Sequence, residues 1–139
     1  MRKTAGFLEI ARAMAKMDVC MMQTFKGNTV HSRPMSNNGD VEYDGDNWFF
    51  ARASSNKVAE IESNPKVQLL FGDPKTMAFI SVWGKASVIE NDEKKKELWH
   101  DELSQWFSRG PEDSQVVLIR VRADKIQSWG SIGDHELNA

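Results

Sequence analysis

Apolar side chains recur at Phe7, Ile10, Ala11, Met14 and Met17, the spacing of one helical face. Thr4 stands where a capping hydroxyl belongs, so the pattern predicts a first helix near residues 4–17. Val19 to Phe25 then reads as a strand, Lys26-Gly27-Asn28 as a tight turn, and Thr29 to Met35 as the returning strand. Pro34 has no N–H for a ladder, which predicts that this strand ends there or lies at a sheet edge. Asp44-Gly45-Asp46 is a second turn signal and leads into Asn47-Trp48-Phe49-Phe50. Bulky residues on both faces of so short a strand require cover on both sides, by protein or by a ligand.

Ser54 or Ser55 is placed to cap a short helix carrying Val58 and Ile61, which Asn64-Pro65 stops. Val67 to Phe71 is a strand, Gly72-Asp73-Pro74-Lys75 a turn, and Met77 to Ile89 a long strand with Gly84 marking a bulge. Asp92 opens a charged helix with an apolar stripe of Leu98, Trp99, Leu103 and Trp106 and a wet face at Lys94-Lys95-Lys96. After Arg109-Gly110-Pro111, Gln115 to Arg122 reads as a last strand, which Ile126 to Trp129 extends at an edge. Residues 131–139 are polar and predict a mobile tail. Parallel βαβ units would alternate regularly, and this order does not. A mainly β chain follows: an antiparallel β-barrel of about six strands with flanking helices, in one domain over 1–139 with its core at about 15–130.

Composition narrows the setting. With 139 residues, 40% of them hydrophobic, the chain can bury one core. It has no membrane-length apolar run and no signal-peptide pattern, so the expectation is a soluble, cytoplasmic protein with no membrane partner. A net charge of −2 lacks the basic excess of a general nucleic-acid binder. Cys20 is the only cysteine, so no intrachain disulfide forms. Five tryptophans are many for this length and must fill a core, an interface or a ligand pocket.

His31, His100 and His135 show no metal-ligand spacing, and no metal site is expected. Cys20 lies in an apolar strand with no activating neighbour and reads as a small core residue. No Walker loop, GxGxxG or paired carboxylates appear, so no catalytic acid or base is assigned. Two segments remain. His31-Ser32-Arg33-Pro34-Met35 closes a strand, and Ser54-Ser55-Asn56-Lys57 opens a helix directly after one. The second suits an anion: a helix start has free N–H groups, Ser55 adds a hydroxyl and Lys57 a charge. Arg33 could add a bidentate fork. Taken alone, each segment reads first as an ordinary cap or a solvated charge.

In order along the chain, Arg33-Pro34-Met35, Trp48-Phe49-Phe50 after an Asp-Gly turn, Ser55-x-Lys57, Asn64-Pro65-x-Val67 and Phe79-Ile80-Ser81-Val82-x-Gly84-x-Ala86 resemble the pyridoxamine 5′-phosphate oxidase-like FMN-binding split barrels. Trp99, Trp106-Phe107, Gly110-Pro111-Glu112-Asp113 and Trp129 after Ile126 are similar to the bacterial general stress protein branch of that family. The resemblance covers roughly residues 15–130. It implies a six-stranded antiparallel split barrel that is a homodimer with FMN at the interface. By the same resemblance Arg33, Ser55 and Lys57 hold the FMN phosphate, with Pro34, Met35 and Asn56 beside them. Phe49, Phe50 and Ala51 match the strand along the isoalloxazine ring. Trp106 and Trp129 match aromatic positions that approach the flavin from the partner subunit, or else pack at the dimer interface.

The chain departs from the family pattern at three places. Ala51 stands where threonine is usual, and Asn56 where the oxidases tend to have arginine. After Trp129 the oxidases carry an Arg-x-His segment that contacts substrate, whereas this chain reads Gly130-Ser131-Ile132-Gly133-Asp134-His135. The resemblance therefore implies an FMN-binding redox protein without pyridoxamine phosphate oxidase activity. A non-catalytic flavin storage or sensing module, a flavin reductase-like or deazaflavin-dependent oxidoreductase, and a β-barrel ligand binder without flavin are the alternatives.

Overall fold

The computed structural model describes all 139 residues. In chain order it forms α1 (Ala5–Ala15), β1 (Val19–Lys26), β2 (Thr29–Ser36), β3 (Asp46–Arg52), α2 (Asn56–Ser63), β4 (Lys66–Asp73) and β5 (Ala78–Ile89). Then come α3 (Asp92–Leu98), a short 3-10 helix at Asp101–Gln105, β6 (Val116–Gly130) and β7 (His135–Asn138). All strand pairs are antiparallel, in the order β2-β1-β4-β5-β6-β3. β3 pairs with the first half of β6, and β7 with its second half.

Local sequence accounts for most of these elements. Thr4 caps α1 by accepting the Phe7 N–H at 3.2 Å, and α1 buries Phe7, Ile10 and Met14 in the main core. Gly27 takes a positive φ of 57° in the two-residue turn that sets the β1–β2 register. The predicted bulge lies between Trp83 and Gly84, where a Cβ on residue 84 would stand 2.3 Å from the Arg122 carbonyl. Alternate residues of β1, β4 and β5 enter the core, among them Met22, Leu69, Ile80 and Val82. Burying each such side chain fully stabilises the fold by about 1.5–3 kcal/mol. Cys20 is in this core, where burial pushes its thiol up to about 12, so it is unreactive.

The structure corrects the sequence reading at four points. There are seven strands rather than six, because His135–Asn138 of the expected tail pair with β6. The two segments read as a last strand and its edge extension, 115–122 and 126–129, form one continuous strand, β6. The charged helix is shorter than its stripe: α3 stops at Leu98, and the chain bends at Trp99 before the 3-10 turn. Phe107 rather than Trp106 then completes the apolar cluster with Leu103, Val116, Phe50 and Trp99, and Trp106 stays 53% exposed. Finally, Lys95 is buried rather than wet. Its ammonium donates to the carbonyls of Asp113 (3.0 Å) and Val116 (2.8 Å) and pairs with Asp92 at 3.3 Å. The buried Val116 carbonyl at the start of β6 needs a donor, and the lysine supplies it.

Candidate functional site

The path of six strands leaves β2 and β3 at its two ends, each hydrogen-bonded to one neighbour only. Their free edges bound a groove of about 1310 Å³. Pro34, Met35 and Ser36 line it from β2, and Trp48, Phe50, Ala51 and Arg52 from β3. Its third wall is the segment from His100 to Phe107. The wall is anchored to β3 by the Phe50 and Trp99 rings, edge to face at 5.4 Å, and by Arg52, which donates to the Trp106 carbonyl and lies over Phe107. A neighbouring recess of about 20 Å³, beside Met14, Tyr43 and Asn47, is large enough only for a water-sized molecule.

The two ends of the groove differ in charge. Where β3 runs into α2, the lining carries Arg52, Ser55 and Lys57; where β2 ends, it carries Asp18, Asn37, Asn38 and Asp40. Asp101 and Glu102 add two more carboxylates along the third wall. Ser55 is the N-cap of α2, but its hydroxyl donates to the Arg52 carbonyl at 2.8 Å and caps nothing. The N–H groups of Asn56, Lys57 and Val58 have no backbone partner and remain free for an anion. Lys57 is half-buried and takes part in no ion pair. Burial first, and then the Arg33 charge, hold its ammonium below the ordinary lysine range. A half-buried cation facing free N–H groups with no carboxylate against it fits one phosphate group.

The sequence-predicted residues divide into three groups. Pro34, Met35, Phe50, Ala51, Ser55, Lys57 and Trp106 line the groove. Phe49 points into the core at 1% exposure, and Asn56 is exposed at the start of α2 without lining the groove. Trp129 lies on β6 opposite Phe79 and outside this groove. Arg33 is the notable case: it does not line the groove and turns instead to Glu60, one helical turn beyond Lys57 on α2. Its Nη2 donates to Glu60 Oε2 at 3.0 Å and its Nη1 to Thr24 Oγ1 at 2.8 Å. The Thr24 hydroxyl in turn donates to Glu60, and His31 Nδ1 meets Glu60 Oε1 at 2.5 Å. The sequence reading missed Glu60 and the wall at His100–Glu102. Nothing local marks either one, but the turn at Lys26-Gly27-Asn28 implied that Thr24 and His31 lie opposite, as the β1–β2 register shows. No three histidine, cysteine, aspartate or glutamate side chains converge as a metal-ligand set.

A family model described as pyridoxamine 5′-phosphate oxidase like matches residues 7–138. General stress protein 26 of Bacillus subtilis is 32% identical over 80 residues, 52% of this chain and 54% of that protein. The chain thus matches about half the length of that relative. The crystal structure of general stress protein 26 from Bacillus anthracis superposes with a TM-score of 0.82 at 26% identity, covering 95% of this chain and 97% of the other. A FAD-binding protein from Mesorhizobium loti shares the fold at a TM-score of 0.70 and 15% identity, over 90% of this chain and 93% of its own.

The ion-paired carboxylate makes acid stability a readout of this network. The Thr24 hydroxyl, followed by His31 and Arg33, outweighs burial and holds Glu60 down to about 2 from an ordinary 4.5. A carboxyl with a lowered folded value stabilises the fold above its unfolded value and loses that contribution as pH falls toward the folded one. Urea midpoints of the wild type should therefore drop more steeply between about pH 5 and pH 2 than those of Glu60→Gln. Parallel slopes for the two proteins would show that Glu60 is not held in this way.

Proposed function

Because the chain belongs to the pyridoxamine 5′-phosphate oxidase-like family, we propose that it binds FMN in the groove between β2 and β3 and serves as a flavin-dependent redox protein of the general stress type. One observation carries the reading: the free edge of β3 runs directly into an open helix start that holds an unpaired, half-buried lysine. Lys57 and the first N–H groups of α2 hold the phosphate, and the Ser55 hydroxyl turns toward it from the Arg52 carbonyl. Unpaired backbone groups of β3 at Trp48 and Phe50, which alternate with the residues bonded to β6, offer donors and acceptors to the polar rim of the ring system. Met35, Trp48 and Trp106 supply apolar and aromatic surface and exclude water. The bound flavin supplies the electron transfer, and the chain supplies position and electrostatics.

Charge-assisted hydrogen bonds contribute roughly 1.5–3 kcal/mol each, so Lys57→Ala should weaken FMN by about ten- to a hundredfold. Riboflavin, which lacks the phosphate, should bind both proteins alike. Calorimetric or fluorescence titration decides it, and equal FMN affinity for mutant and wild type would remove Lys57 from the phosphate site.

The same reading includes a homodimer. Met21 and Leu70 face each other across β1 and β4 on the outer side of the sheet, and both are exposed. Val19 on β1 and Trp129 on β6 are exposed as well, at 54% and 44%. Adjacent exposed apolar residues on an open sheet face mark an interface, and an obligate one buries on the order of 2,000 Å² or more. The wild type should scatter light as a dimer at micromolar concentration, and Met21→Glu with Leu70→Glu should yield a monomer. A monomeric, FMN-bound wild type would contradict the assembly.

The oxidase reaction of the family's namesake is not part of the proposal. Its substrate brings a second phosphate, and burying a dianion without cationic partners costs several kcal/mol. Beyond Lys57 the groove offers only Arg52, already tied to the Trp106 carbonyl, against the carboxylates of Asp18, Asp40, Asp101 and Glu102. FMN-loaded protein incubated in air with pyridoxamine or pyridoxine 5′-phosphate should form no pyridoxal 5′-phosphate. Turnover at roughly 1 per second or above would return the chain to the oxidases.

A further inference from the structure

The residues around Arg33 form a closed network. The Glu60 side chain is only 11% exposed, and Thr24 is fully buried. Glu60 Oε1 is occupied by His31, and Oε2 by both Thr24 and Arg33. Thr24 accepts from Arg33 while donating to Glu60, so its hydroxyl has one possible orientation. Three elements thus fix one guanidinium: β1 through Thr24, β2 through His31 and Arg33 itself, and α2 through Glu60. Lys57 lies one turn before Glu60 on the same face of α2, close enough for the Arg33 charge to act on it. Two of the N–H donors of Arg33 are used by Thr24 and Glu60, and the others are uncommitted.

We infer that Glu60 is a positioning residue for the anion site: together with Thr24 and His31 it holds Arg33 beside Lys57, so that the guanidinium meets a phosphate in a fixed orientation. The inference rests on the phosphate reading given above and assigns Glu60 a role that touches no ligand atom. An unrestrained arginine loses rotamer freedom on binding, and the network removes that loss in advance. The pairing also leaves Arg33 and Glu60 neutral together, so the net positive charge near the phosphate comes from Lys57.

Two substitutions separate geometry from charge. In Glu60→Gln the amide oxygen can accept from Thr24 and Arg33, while the amide nitrogen donates to His31 Nδ1 in its other tautomer, so the arrangement survives without the charge. Glu60→Ala removes the arrangement. Thr24→Val is nearly isosteric in a buried strand position and removes one of the two anchors on Arg33. The quantity to measure is the ratio of FMN to riboflavin affinity in the intact, folded protein. A merely structural residue would weaken both ligands and leave this ratio unchanged.

The ratio should fall by roughly tenfold in Glu60→Ala, the low end for one charge-assisted hydrogen bond, and in the same direction in Thr24→Val. It should stay within about threefold of wild type in Glu60→Gln, a span below one weak hydrogen bond. An unchanged ratio in both Glu60→Ala and Thr24→Val would overturn the inference, as would a Glu60→Gln ratio as low as that of Glu60→Ala. If Lys57→Ala lowers the ratio while Glu60→Ala leaves it alone, the phosphate site stands and the role of Glu60 falls. If the wild type itself does not prefer FMN, the phosphate site and the inference fall together.

Discussion

The sheet of this protein does not close. β2 and β3 are the two ends of one strand path, and no hydrogen bond joins them. Free sheet edges carry rows of unsatisfied N–H and C=O groups, which invite another chain unless something covers them. Here the answer is architectural. The α3 helix and the segment to Phe107 pack across the outer face of β3, and Lys95 ties that insertion to the start of β6. The edges themselves are left facing a groove. A planar ligand with polar rims and an anionic tail answers both needs of such a groove, covering apolar walls and satisfying backbone groups.

The charge distribution follows the same geometry. α2 begins where β3 ends, so its open N-terminus and Lys57 fall at one end of the groove. The carboxylates of Asp18 and Asp40 fall at the other, where β2 ends. The cationic character of the α2 end is therefore built into the connectivity rather than into one binding loop. Arg33 is held next to that end by Thr24 and Glu60, so its position is a joint product of β1, β2 and α2.

Much of this is legible in the sequence, because the signals are local. Thr4, the glycine turn at Gly27, the bulge at Gly84 and the strand-to-helix step at Ser55-Asn56-Lys57 each carry their own backbone chemistry. What stays hidden depends on distant partners. Lys95 sits in a run of three lysines, and only the carbonyls of Asp113 and Val116 distinguish it from Lys94 and Lys96. His135–Asn138 is too polar to read as a strand, yet β6 offers it a free edge. Glu60 looks like any solvent-facing glutamate of a short helix until the β1–β2 register brings Thr24, His31 and Arg33 to it. Trp129 reads correctly as a strand residue, but it lies exposed on β6, outside the groove of its own chain.

The function of the protein turns on what occupies the groove. The most direct measurement is to purify the protein, denature it and identify the released small molecule by mass spectrometry against the protein concentration. The expected result is FMN, at up to one molecule per chain. Release of FAD, a deazaflavin or riboflavin in its place, or failure of the folded protein to retain FMN added to it, would contradict the assignment.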